Sequence, residues 1–295
     1  MAGRLVLIGA SGALGGATLD AAREAGLPVV ATYGSRPIAG GVRFGAESDA
    51  LARLGVARGD TVILFAAHSD QEWVRTHAAQ ARALNVAATV RLASEARGAG
   101  ARFVFLSSEA VFGKERSEGW PESAPPCPAT EYGRQKAEAE RALLDMDHAC
   151  VVRTGWNVTA RIADRCVVRS TYESLLAGTA RLAQDNVFSL TDATDTARLL
   201  LAVCDRGAAG IVHAVSGRPV SRTALADETI RLSKKGSRMR YERIHFADLR
   251  LAEPKPASAW LAATRDHHLR APGFLPPEAV IARKVALLDE VALGD

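Results

Sequence analysis

The chain has 295 residues, room for one large α/β domain or for a nucleotide-binding domain with a smaller lobe. Hydrophobic residues make up 48% and charged residues 24%, which excludes disorder as the main state. Lys and Arg exceed Asp and Glu, 37 to 33, for a net charge of +4 scattered along the chain, which argues against nucleic acid as a partner and suits a site for phosphorylated small molecules.

No apolar run approaches the ~20 residues that span a bilayer, so no membrane partner is expected. Arg4-Leu5-Val6-Leu7-Ile8 is too short for the apolar part of a signal peptide and runs directly into glycines. Cys127, Cys150, Cys166 and Cys204 show no C-x-x-C spacing and read as reduced thiols. A cytoplasmic protein is the expectation, with no metal site.

Short apolar runs alternate with helical patterns, the mark of βαβ units and a parallel sheet. Strands are expected at 5–8, 29–32, 42–44, 61–67, 102–107 and 150–154. The run at 61–67 (TVILFAA) is continuous and apolar, as a strand buried on both faces requires. Helices are expected at 15–25, 80–96 and 132–144. Together these describe a Rossmann-type doubly wound sheet over residues 1–155. Residues 156–295 read as a mixed segment that completes the sheet and forms a small substrate-binding lobe. There the pattern predicts helices at 171–183, 194–204 and 223–232, and strands at 187–190 and 211–215. Residues 253–257 (EPKPA) cannot continue a helix, because each proline removes a donor.

Gly9-Ala10-Ser11-Gly12-Ala13-Leu14-Gly15 follows the first strand and opens a helix. Free backbone N–H groups and the helix dipole attract a pyrophosphate there, and glycines let it approach. Gly9, Ser11, Gly12, Ala13, Leu14 and Gly15 are therefore candidate cofactor contacts. A dinucleotide fold specific for NAD places Asp or Glu at the end of the second strand to hold the ribose 2′-OH. Here that place reads Thr32-Tyr33-Gly34-Ser35-Arg36. Ser35 and Arg36 suit a 2′-phosphate, so NADP(H) is favoured over NAD(H).

Tyr132-Gly133-Arg134-Gln135-Lys136 is Y-x-x-x-K at a helix start, which puts Tyr132 and Lys136 one turn apart on one face. A carbonyl reduced by hydride must also gain a proton, and a phenol can supply it. A neighbouring ammonium is expected to lower the phenol's pKa. Ser108, at the end of the fifth strand, is placed to hold the substrate carbonyl. Asn85, an amide inside an apolar helical stretch, is expected to bridge a backbone carbonyl and a water in a proton relay. His68 follows the fourth strand and is expected to shape the pocket. Trp156 and Asn157 follow the sixth strand and are expected to line it.

These features resemble the extended short-chain dehydrogenase/reductase family, in its dTDP-4-dehydrorhamnose reductase-like branch. The resemblance rests on residues 103–113 (FVFLSSEAVFG), on Trp120-Pro121-Glu122 with Pro128, Tyr132-Gly133, Lys136 and Glu140, on Val152-Arg153-Thr154-Gly155-Trp156, and on Leu84-Asn85-Val86. Departures are Ile8 where the family usually has Thr, Ala110 where the branch has Tyr, and Phe65 where a polar or small residue is common. The resemblance implies that Ala66 and Ala67 border the cofactor, that Lys136 also holds the nicotinamide ribose, and that Ser108 and Glu109 are the hydroxyl and acid of the substrate site. It further implies NADPH-dependent reduction of a 4-keto nucleotide sugar. Arg161, Arg165 and Arg169, recurring every four residues, fall where relatives bind a diphosphate. An epimerase or dehydratase with retained cofactor, a reductase of a non-sugar ketone and a cofactor-binding regulatory subunit stay open, as does a homodimer. His267-His268 reads as a surface pair.

Overall fold

The computed structural model describes residues 3–162, 166–264 and 273–291. Arg165 and the His267-His268 pair lie outside them.

The first half runs β1 (Leu5–Ile8), α1 (Ala13–Glu24), β2 (Val29–Tyr33), β3 (Val42–Arg43), β4 (Thr61–Leu64), α2 (Gln71–Thr76), α3 (Ala78–Arg82), α4 (Thr89–Gly98), β5 (Arg102–Ser108), α5 (Glu131–Leu144) and β6 (Ala149–Thr154). Then come β7 (Trp156–Val158), α6 (Val167–Leu176), β8 (Ala180–Ala183), β9 (Val187–Asp192), α7 (Ala193–Arg206), β10 (Gly210–Ala214), β11 (Pro219–Ser221), α8 (Arg222–Leu232), β12 (Tyr241–Ile244) and α9 (Pro277–Val291).

Seven parallel strands form the main sheet in the order β10-β6-β5-β4-β1-β2-β3. The chain winds outward one way from β1 and the other way from β4. The crevice at this switch point, above the carboxyl ends of the strands, is where an open α/β sheet receives ligands. Alternate residues of each buried strand supply opposite faces. Leu5, Leu7, Ile63 and Val152 pack with Leu19 of α1 and Leu200 of α7. Val6, Val62, Phe103 and Phe105 pack with Leu92 of α4 and Leu143 of α5. Each such side chain, fully buried, contributes about 1.5–3 kcal/mol.

A second core lies in the later half, where Val168, Tyr172, Leu175, Leu225, Val280, Ile281 and Leu288 join α6, α8 and α9 under the short sheets β11-β9-β7 and β12-β8. The helix expected at 171–183 begins earlier and ends at Leu176. Gly178, at φ +66°, turns the chain out of it, and residues 180–183 become β8. The strand expected at 61–67 stops at Leu64. The helix expected at 80–96 begins at Gln71, capped by Asp70, breaks at His77, and passes through a π-helical turn over Ala83–Ala88. Sequence reading assigned no element to α9, β7, β11 or β12. Among the described residues no helix is long and apolar enough to cross a membrane.

Candidate active site

The turn after β1 is shaped for close approach. Gly9 has φ +90°, and a Cβ on it would lie 2.9 Å from the backbone nitrogen of Ala66. α1 starts behind Gly12 with no side-chain cap and no acid in its first turn. Its leading N–H groups fit a pyrophosphate. Arg36 donates to the Ser11 carbonyl at 3.2 Å, which places its guanidinium against the turn, and Ser35 beside it is exposed. Ala66 packs beneath the turn, while Leu14 and Ala67 border the cleft that leads to Lys136.

α5 enters that cleft at its N-terminus. A Cβ on Gly133 would stand 2.1 Å from the Ala110 carbonyl, so only glycine lets the helix lie against the turn after β5. Tyr132 and Lys136 thereby face the end of β5. Ser108 accepts a hydrogen bond from Ala110 N at 3.2 Å and also reaches the Tyr132 phenol, a contact that favours phenolate. Burial wins, however, and pushes Tyr132 up to about 12, opposite to the direction expected from a neighbouring ammonium. The Lys136 Nζ lies 5.8 Å from the Tyr132 ring centroid and donates to the Leu106 carbonyl at 2.8 Å. Burial brings Lys136 down to about 8, against the opposing field of Glu140. Asn85, in the π-helical turn, meets a backbone carbonyl as expected, donating to His68 O at 3.0 Å. Its second N–H goes to Gln135 Oε1 at 3.0 Å, so both donors are committed within the protein. His68 N donates back to Asn85 Oδ1 at 2.9 Å, and the His68 ring stacks on Trp73.

The cleft has a volume of about 700 Å³. Ser108, Tyr132 and Lys136 stand at one part of its wall, with Phe65, Leu106 and Phe112 around them. Trp156 also lines the cleft and is 42% exposed, which leaves aromatic surface open to a ligand. The Arg222 guanidinium lies over both the Trp156 and Phe188 rings, 4.9 and 4.8 Å from their centroids, and bonds Asn186. Glu109 faces this cation. Burial pushes the Glu109 carboxyl up to about 8, opposed by hydrogen bonds from Ser189 and Trp156 and by the Arg222 charge. Asn157 borders the cleft with its amide tied to Thr154, Gly155 and Thr196, so it fixes the wall.

Arg161 and Arg169 do not enter the cleft lining. The Arg161 guanidinium folds over Gly16 and pairs with Asp20 at 3.6 Å. Arg169 pairs with Glu173 one turn along α6, at 2.7 Å. The cations that do line the cleft, Arg181, Arg222 and Lys255, were not singled out by the sequence. They come from three separate elements with no shared spacing. The only local signal was a start of α8 at Ser221-Arg222, and Lys255 held between two prolines.

A family model described as the RmlD substrate binding domain matches residues 3–271. The dTDP-4-dehydrorhamnose reductase of Mycobacterium tuberculosis is 33% identical over 228 residues, 74% of this chain and 72% of that one. Among solved structures, the dTDP-4-dehydrorhamnose reductase of Bacillus anthracis in complex with NADP superposes with a TM-score of 0.77 at 18% identity, over 97% of this chain and 99% of the other. The UDP-glucose 4-epimerase of Thermotoga maritima with UDP-glucose gives a TM-score of 0.81 at 17% identity, over 99% of this chain and 100% of the other. At these identities the two structures share the fold with this chain.

Proposed function

The chain belongs to the RmlD substrate-binding-domain family, a branch of the extended short-chain dehydrogenases, and on that premise we propose that it reduces the 4-keto group of a nucleotide sugar with NADPH. That it is an NAD(P)-dependent oxidoreductase follows from its reductase relatives. The observation that carries the finer reading is one cleft holding both the Ser108, Tyr132 and Lys136 group and three cations, Arg181, Arg222 and Lys255.

When bound, the nicotinamide supplies the hydride. The chain's own residues do the rest. Ser108 holds the carbonyl oxygen. Tyr132, protonated at neutral pH because its pKa lies near 12, gives that oxygen its proton. Lys136, buried and close, stabilises the phenolate left behind more strongly than it would in water. His68 itself does not line the cleft, but Asn85, bonded to Gln135, braces its backbone between the lining residues Ala67 and Ser69, and Trp156 takes an apolar face of the sugar. Arg222, with Arg181 and Lys255, meets the diphosphate in place of the arginines between 161 and 169. Ser35 and Arg36 would hold the 2′-phosphate of the cofactor.

The test is NADPH oxidation by the purified protein with dTDP-linked 4-keto sugars and with uncharged ketones. Turnover of the nucleotide-linked ketone, competitively inhibited by dTDP at saturating NADPH, is expected. Turnover restricted to uncharged ketones, with no inhibition at millimolar dTDP, would overturn the nucleotide-sugar reading and leave the reductase.

A further inference from the structure

Residues 249–256 cross the cleft as a strap between two fixed ends. Before it, β12 pairs with β8, and Phe246 N donates to Asp185 at 2.7 Å. After it, the Ala257 carbonyl accepts from Val187 N and from Asn186 Nδ2, both at 2.8 Å. Between 250 and 256 the hydrogen bond found among the described residues is received by Glu253: Glu131 N donates to Glu253 Oε1 at 2.6 Å. Arg134 adds an ion pair to the same oxygen at 3.5 Å. Leu249, Leu251, Lys255 and Pro256 of the strap line the cleft, and Leu251 is left 42% exposed.

We propose that Glu253 is a positioning residue, latching this strap to the first turn of α5 so that the covering of the cleft and the placement of Tyr132 are one event. Glu131 is the first residue of α5 and Tyr132 the next. The leading N–H groups of a helix have no partner within it, and a carboxylate there also meets the positive end of the dipole. The Gly133 N–H is served locally, by the Thr130 hydroxyl at 3.1 Å. The Glu131 N–H is served from 122 residues away, by the strap. Leu251, Lys255 and Tyr132 all line the cleft, so a molecule that fills it would touch both the strap and the start of α5, and seating it and closing the latch would favour each other. Lys255 adds a cation to the same strap, suited to an anionic ligand. The covering of substrate rests on the reductase reading above; the latch itself does not.

Limited trypsin digestion reads the latch directly. Arg250 is exposed at the start of the strap, and Lys255 is followed by Pro256, a bond that trypsin resists. Without ligand, Glu253→Ala should be cut after Arg250 about ten-fold faster than the parent chain, the size of a lost helix cap. Glu253→Gln keeps an acceptor oxygen and should stay within about three-fold. Bound dTDP should slow the cut in the parent chain. In turnover, Glu253→Ala should lower kcat about ten-fold, largely restored in Glu253→Gln, because the helix start and not a charge in the cleft has moved. Hydrogen exchange at the Glu131 and Tyr132 amides, faster in Glu253→Ala, gives a readout independent of activity. Equal cleavage of Glu253→Ala and the parent without ligand, with unchanged exchange at those amides, would overturn the latch whatever the substrate is. A normal latch with no protection by dTDP would instead count against the nucleotide-sugar reading.

Discussion

Arg153 donates to both oxygens of Glu140, at 2.9 Å from Nε and 2.7 Å from Nη2, with both side chains inside the protein and Glu140 one helical turn beyond Lys136. The pair ties α5 to β6 directly behind the catalytic residues, and the Arg153 guanidinium also lies 5.0 Å over the Phe112 ring. Glu140→Gln leaves a buried cation without its counter-charge and should cost about 3–5 kcal/mol in urea unfolding, whereas replacing both by apolar residues of similar volume should recover most of the loss. A single variant within about 1 kcal/mol of the parent would show that the pair is not what holds α5 to the sheet.

Lys136 sets the alkaline limit of activity. Its folded value of about 8 lies below the ~10.4 of an exposed lysine, so its contribution to stability is complete above the unfolded value and is lost as pH falls toward 8. Its charge, which the proposed reaction uses to steady the phenolate, is lost in the other direction. The kcat/KM for reduction should therefore fall above about pH 8, while Tyr132, near 12, stays protonated throughout. Tyr132→Phe should remove turnover by about 10²–10⁴ and keep cofactor binding, since the ring still packs on Val74 and Ala81. An alkaline limb displaced to pH 10 or beyond would remove Lys136 from this role.

Arg36 is held at the glycine-rich turn by its bond to the Ser11 carbonyl, and the proposed cofactor preference is tested there. A charge-assisted contact to a phosphate is worth about 1.5–3 kcal/mol, so Arg36→Ala should weaken NADPH by roughly 10- to 100-fold and leave NADH nearly unchanged. Titration of both cofactors by fluorescence checks this. Equal weakening of the two would show that Arg36 only braces Ser11.

Much of the fold was readable because the core strands bury both faces. Leu5–Ile8 and Thr61–Leu64 are short, almost wholly apolar runs buried on both faces, and such runs have few other fates. The glycine-rich turn and the Y-x-x-x-K spacing were readable because their chemistry sits in one local stretch. What escaped was assembled across the chain. β7, β11 and β12 have three or four residues each and take their partners from distant segments. The arginine spacing at 161, 165 and 169 does not show where the side chains go: Arg161 pairs with Asp20 of α1 and Arg169 with Glu173 of α6, away from the cleft lining. Arg222 acquires its place from Trp156, Phe188 and Glu109, which no spacing joins.

Arg222 and Arg169 therefore make opposite predictions. Arg222 borders the cleft against two aromatic rings, and burial lowers its pKa while the Glu109 charge opposes the shift. Arg222→Ala should raise KM for a nucleotide-linked ketone at least ten-fold and change kcat much less, because a diphosphate far from the reacting carbon is held alike in ground and transition states. The effect should shrink at high salt as long-range attraction is screened. Arg222→Lys should restore little, since an ammonium lacks the planar guanidinium that lies over the Trp156 and Phe188 rings and reaches Asn186. Arg169→Ala removes an exposed ion pair with Glu173 and should leave both constants unchanged. The three variants and the parent are compared by initial rates at saturating NADPH. If Arg169→Ala raises KM and Arg222→Ala does not, the diphosphate lies along α6 and the cleft cations serve another purpose.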